Sequence, residues 1–263
     1  MTAGNGEMGF WEHVEALRGV LLRIVVTLSV LTVAYFCVMG WMFDHVILAP
    51  CSNDFILYRL LEKLSVLGDV MPDAYLGDFT VSLINIKLAS QFFTHVSTSF
   101  WLALVTAFPI MLYQLWLFVS PGLYPRERRP AAKAFALGCG MFYLGVAAGY
   151  FIVFPLTLRF LADYRLSESI PNEISLDSYM DNFLMLIFAL GIVFELPLLA
   201  WLLGKIGLLK RSMFSRYRRY AIVTLLVIAA VITPTGDPFT LMVVFLPIYM
   251  LWEAGALLVP KEE

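Results

Sequence analysis

The sequence predicts an all-α protein that crosses a lipid bilayer six times, and three observations lead there. Hydrophobic residues make up 60% of the chain and charged ones 14%, with a mean hydropathy of +0.82, whereas a soluble globular domain averages about 25% charged. The apolar residues come in charge-free runs as long as a spanning helix needs, roughly 20 residues. Polar segments bearing Pro and Gly separate these runs, and such segments end helices.

Phe10, Trp11 and EHVEALRGVLLR read as an amphipathic interfacial helix, with Val14, Leu17 and Leu21 on one face and Glu12, Glu15 and Arg18 on the other. Residues 1–23 are therefore expected as an amphipathic segment feeding the first span, Ile24 to Phe43. Leu48-Ala49-Pro50-Cys51 has the outline of a lipoprotein cleavage box, but Pro50 stands where a small residue is wanted, so no cleavage is expected. Residues 44–88 read as an extracytoplasmic loop holding one amphipathic helix, LYRLLEKLSVL.

The second span is expected from Gln91 to Val119, kinked at Pro109, which lacks an N–H. Residues 120–133 form the next loop. Pro130 suits the first turn of a third span, Ala134 to Leu158, in which Gly138, Gly140, Gly145 and Gly149 offer thin places for another helix to approach. Pro155 bends or ends that span. After a polar loop at 159–181, the fourth span runs from Asn182 to Leu203 with a single charge, Glu195. The loop at 204–219 is the most basic stretch. Tyr220 to Gly236 and Pro238 to Trp252, about 17 and 15 residues, predict fifth and sixth helices that are short by the usual measure of about 20.

Six crossings put both termini on one side, and the basic residues decide which. Thirteen of the 18 Lys and Arg fall on the side of the termini, among them Arg126, Arg128, Arg129 and the cluster from Lys205 to Arg219. Only Arg59, Lys63, Lys87, Arg159 and Arg165 lie opposite. By the positive-inside rule both termini are cytoplasmic. No repeat or soluble domain interrupts residues 1–263, which read as one integral membrane domain.

No GxxxxGK[ST], GxSxG or HExxH motif occurs, and neither the three cysteines nor the three histidines have metal-ligand spacing. No catalytic activity, cofactor, metal or nucleic-acid partner is expected. Carboxylates remain. Glu127 lies in FVSPGLYPRERR among Arg126, Arg128 and Arg129, and with Glu12 and Glu15 would present acceptors suited to guanidinium groups; alternatively it merely pairs with Arg128 or Arg129. Glu195 costs at least about 2.5 kcal/mol at mid-membrane, so it is expected to face the bundle interior or water. It serves function there or a plain interhelical hydrogen bond. A secondary transporter using Glu195 as coupling carboxylate is the alternative reading of the chain.

HVEALR, LYQLWLFVSPGLYPRERR, FYLGVAAGYFIVFPLTLRFL, FELPLL and ITPTGDPF together resemble the TatC-type subunit of the twin-arginine protein translocase over nearly the whole chain. The resemblance implies a six-helix, cup-shaped receptor in the cytoplasmic (inner) membrane. It would bind twin-arginine signal peptides of folded precursors, work with TatB-type and TatA-type single-span subunits, self-associate, and depend on the proton-motive force. The family's recognition residues fall on Phe118 and Glu127, with Leu123 and Tyr124 between them. Its intramembrane acid falls on Glu195, its loop proline on Pro50, and its last-turn acid on Asp237. The family's N-terminal acid falls on Ala16, leaving Glu15 one position earlier and about 100° around the helix. Where the family often has a glutamine in the last helix this chain has Leu241, with Thr233 remaining as the polar residue near that docking face.

Overall fold

The computed structural model describes residues 10–65, 80–122, 125–164, 166–167, 169, 172–205, 207–233 and 235–259. Among them the chain forms nine α-helices: α1 (Phe10–Met42), α2 (Ile56–Ser65), α3 (Ser90–Val119), α4 (Pro125–Ala148), α5 (Phe154–Asp163), α6 (Leu176–Val193), α7 (Leu196–Lys205), α8 (Arg211–Ile232) and α9 (Pro238–Leu258). Among the described residues five segments, not the six expected, are long and apolar enough to cross a membrane: Val14–Cys51, Ser90–Val119, Ala132–Asp163, Leu176–Lys205 and Pro238–Leu258; α8 is excluded by the arginines of its first turns. The expected interfacial helix and first span are one unbroken helix, because no Pro separates Phe10 from Met42.

The last two helices are longer than the sequence implied: α8 has 22 residues and α9 has 21. Four arginines in the first nine residues of α8 look like loop in a hydropathy reading, but a helix carries them, with Arg216 and Arg219 lying over the Tyr217 and Tyr220 rings at 5.9 and 5.2 Å. In α9, Pro247 lies inside the helix without ending it, and the helix continues past Glu253, which accepts from Arg218 of α8 at 2.9 Å. Much of the expected basic loop at 204–219 is therefore helical, α7 running to Lys205 and α8 starting at Arg211. Likewise α4 begins at Pro125, so Glu127 sits in a helix rather than in a loop, and α5 carries helical structure to Asp163, into the expected loop at 159–181.

α1 and α3 pack antiparallel. Arg23 donates to Gln114 Oε1 at 3.0 Å, the hydroxyls of Tyr35 and Thr106 are 2.6 Å apart, and His95 stacks on Phe36 with ring centroids 4.0 Å apart. α4 packs on α6 through glycines. A Cβ on Gly145 would lie 2.5 Å from the Leu190 carbonyl oxygen, and one on Gly149 would lie 3.0 Å from Ile187 Cα. This GxxxG is the thin place the sequence offered, and in lipid such close approach substitutes for the hydrophobic drive that water supplies elsewhere. The span formed by α6 and α7 is the most enclosed, 44% of its apolar window being buried against 6% for that of α1, so α6 is the axis of the bundle and α1 its flank.

Two ends follow from these pairings. At the base α1 begins, α3 ends, α4 begins, α7 ends, α8 begins and α9 ends. At the opposite end α1 unwinds into a π-helical turn (Phe43–Ile47) and a short 3-10 turn (Ala49–Cys51). Pro50 explains part of this. It has no N–H to offer the Val46 carbonyl four residues back, and that carbonyl accepts instead from Tyr150, at 2.7 Å. The next carbonyl, Ile47, accepts from Tyr179, and Pro50's own carbonyl from Tyr58 at 3.1 Å. Three tyrosines from three elements thus replace the missing helical donors. Two short parallel strands, β1 (Leu83–Ile84) and β2 (Ile174–Ser175), close this end in an otherwise helical chain, beside an Asp177 that accepts from Ser90 and pairs with Lys87 at 3.0 Å.

Candidate functional site

Seven of the nine residues singled out by sequence lie among the described residues, and these divide among three places. Glu15, Phe118 and Glu127 are brought to the base. Arg23 of α1 is pinned to Gln114 of α3. At about 1.5 Å per residue, Glu15 lies some 12 Å and Phe118 some 6 Å beyond that pin, both toward the base because the helices are antiparallel. Trp116 packs on Phe135 of α4 at 5.2 Å between ring centroids, and Glu127 is about two turns nearer the base than Phe135. Glu15 is exposed and Phe118 half-buried at the end of α3. Glu127 is the third residue of α4, and its side chain lies outside the described residues, as do Leu123 and Tyr124.

Glu195 stands at mid-bundle, in the break between α6 and α7. Pro197 causes the break, since it cannot donate to the Val193 carbonyl. The carboxylate points at α4, where a Cβ on Gly138 would lie 3.0 Å from Oε2 and 3.1 Å from Leu198 Cδ2. Its Oε1 is buried without a hydrogen-bond partner among the described residues. The acid therefore occupies the gap that a glycine leaves on α4.

Pro50, Thr233 and Asp237 lie at the opposite end. Thr233 is buried at the C-terminus of α8, its hydroxyl donating to the Ala229 carbonyl at 3.0 Å. Asp237 is the N-cap of α9, accepting from the Thr240 amide at 2.7 Å and from the Thr235 hydroxyl at 2.6 Å. Partial burial pushes its pKa up, but these hydrogen bonds to the charged form outweigh that and hold the carboxyl below the usual range.

Sequence reasoning missed two features of this end. Arg159, counted as a loop charge, is 2% exposed; it pairs with Asp163 at 3.8 Å and lies 5.2 Å from the centroid of the Tyr58 ring. Its (i, i+4) spacing from Asp163, just after Pro155, was the available signal. The hydroxyl of Tyr58 donates to both Pro50 and Pro155 carbonyls at 3.1 Å, joining α2, the 3-10 turn and α5.

The arrangement has Glu15, Phe118 and the start of α4 at one end, an enclosed acid at mid-depth and a braced cap at the other. The family model described as Sec-independent protein translocase protein (TatC) matches residues 12–247. A Sec-independent protein translocase protein TatC from Blattabacterium sp. subsp. Periplaneta americana is 32% identical over 254 residues, covering 96% of this chain and 95% of that protein. Among solved structures, the crystal structure of the twin arginine translocase receptor TatC superimposes with a TM-score of 0.71 at 28% identity, covering 94% of this chain and 97% of that one. A second structure of that receptor, in the detergent DDM, gives 0.74 at 26% identity, covering 94% and 99%. The chain belongs to the TatC family of Sec-independent protein translocase proteins.

Proposed function

We propose that this translocase subunit is the receptor for twin-arginine signal peptides on folded precursors, and that it takes the paired arginines at the base of the bundle. Glu127 is the principal acceptor, with Phe118, Leu123 and Tyr124 forming the adjoining surface and Glu15 supplying a second carboxylate. Charged hydrogen bonds between guanidinium and carboxylate are each worth roughly 1.5 to 3 kcal/mol. The observation that carries the reading is the pair of contacts, Arg23 with Gln114 and Trp116 with Phe135, that hold the starts of α1 and α4 and the end of α3 at one end.

In this reading the chain crosses the inner membrane six times with cytoplasmic termini, so that 120–133 and 204–219 face the cytoplasm and 44–88 and 159–181 the other side. Glu195 serves the deeper insertion of the peptide or contacts with TatB-type and TatA-type single-span subunits, and copies of the chain associate in the receptor complex. Pro50, Thr233 and Asp237 brace the outer end for those partners. The proton-motive force drives transport. The test is crosslinking of a twin-arginine peptide to detergent-purified protein: the Glu127→Ala variant should lose the crosslink, and undiminished crosslinking would refute the assignment. Labelling of a cysteine placed at Glu127, from one side of sealed vesicles and then the other, checks the orientation separately.

A further inference from the structure

Near the base, α7, α8 and α9 leave an apolar cleft of about 210 Å³, lined by Leu199, Leu203, Leu209, Phe214, Trp252 and Gly255 among others. Gly255 makes its floor thin, since a Cβ there would lie 3.3 Å from Ala200 Cβ, and Phe214 packs on Trp252 at 4.5 Å between ring centroids. The mouth is built by the turn that ends α7. The amides of Leu208 and Leu209 both bond back to the Leu203 carbonyl, and Gly207 adopts a φ of 78° that a side chain would strain. Leu209 is thereby folded over the rim, and Lys210 and Arg211 follow it immediately.

A basic stretch borders the mouth. From Lys205 to Arg219 the chain carries Lys205, Lys210, Arg211, Arg216, Arg218 and Arg219 and no acid. Arg218 is engaged by Glu253, and Lys205 lies over the Trp201 ring at 4.6 Å, whereas Lys210 is exposed beside the rim. A transmembrane helix, about 10 to 12 Å across with its side chains, is too wide for such a cleft, while a single hydrocarbon chain is not.

We propose that this cleft is a binding site for an anionic phospholipid, one acyl chain lying between α7, α8 and α9 and the phosphate at Lys210 and Arg211. Apolar clefts with basic collars between membrane helices suit such head groups.

The experiment is native mass spectrometry of the full chain in a mild detergent, titrated with phosphatidylglycerol or with phosphatidylcholine of the same chains. Phosphatidylglycerol should bind more tightly, and the double variant Lys210→Gln, Arg211→Gln should lose roughly tenfold or more of that affinity. A matched double variant, Arg216→Gln, Arg219→Gln, should lose much less. Ala200→Phe, which fills the cleft, should weaken both lipids. Equal binding of the two lipids, or equal loss in the two double variants, would overturn the proposal in favour of diffuse surface charge. Displacement of phosphatidylglycerol by millimolar inorganic phosphate, or by a second copy of the chain as protein concentration rises, would overturn it as well. Thermal unfolding in detergent, matched to that of the unaltered chain, keeps a misfolded variant from counting as support.

Discussion

Gly138 on α4 faces Glu195 at the break between α6 and α7, and a methyl group on that glycine would come within 3.0 Å of the carboxylate. The contact atom is the tip of a flexible side chain, so Gly138→Ala should fold, at a cost of about 1 kcal/mol or less, while displacing the acid. Export of a twin-arginine precursor should fall in Gly138→Ala toward the level of Glu195→Ala. Gly140→Ala, with nothing within 4 Å of its added carbon, should export normally. Full export by Gly138→Ala would mean that the position of the acid is immaterial.

Gly145 meets backbone rather than a side-chain tip: its added carbon would lie 2.5 Å from the Leu190 carbonyl oxygen and 2.9 Å from Gly191 Cα. Neither can turn aside, so α4 and α6 must separate. Gly145→Ala should lower stability by about 1 to 3 kcal/mol, read as a drop in Tm in detergent. An unchanged Tm would show that the two helices are not held at this distance.

Tyr58 offers a test with a pH signature. Its hydroxyl serves two buried carbonyls, so Tyr58→Phe should cost about 1 to 3 kcal/mol. Burial pushes its pKa well up, the Arg159 guanidinium only partly offsetting it. A group raised in the folded state contributes fully below its unfolded pKa, about 10, and loses that contribution as pH rises beyond it. Stability of the unaltered chain should therefore decline above about pH 10 more than that of Tyr58→Phe. Parallel declines would place the titration elsewhere.

Asp237 behaves in the opposite sense. Its folded-state pKa is depressed, so its contribution is present above the unfolded value of about 3.9 and disappears as pH falls through the folded value. At neutral pH Asp237→Ala should cost about 0.5 to 2 kcal/mol through the lost N-cap, with Asp237→Asn nearly neutral. Below about pH 4 the difference between Asp237 and Ala should narrow, as thermal melts at both pH values would reveal.

The order of the long apolar helices was legible in the sequence, because run length against bilayer thickness and the positions of Pro and Gly are one-dimensional facts; of the six spans expected, five are long and apolar enough among the described residues, α8 with its four arginines being the exception. The family was legible too, carried by segments such as LYQLWLFVSPGLYPRERR and FELPLL. Helix ends were less so. Hydropathy marks where charge begins, not where helix stops, which is why Arg211 to Arg219 and Pro125 to Arg129 read as loop although they are helical.

Partnership was decided by the tertiary structure. Helices apolar all round show no face to read, and in lipid their register is set by close approach and by polar groups that must find each other. Nothing in FELP says that Glu195 meets Gly138, and nothing around Pro50 says that Tyr150, Tyr179 and Tyr58 will take up the carbonyls of Val46, Ile47 and Pro50. The chain alone fixed which groups had to be satisfied; only the packing of separate helices determined by whom, because each partner lies on a different element.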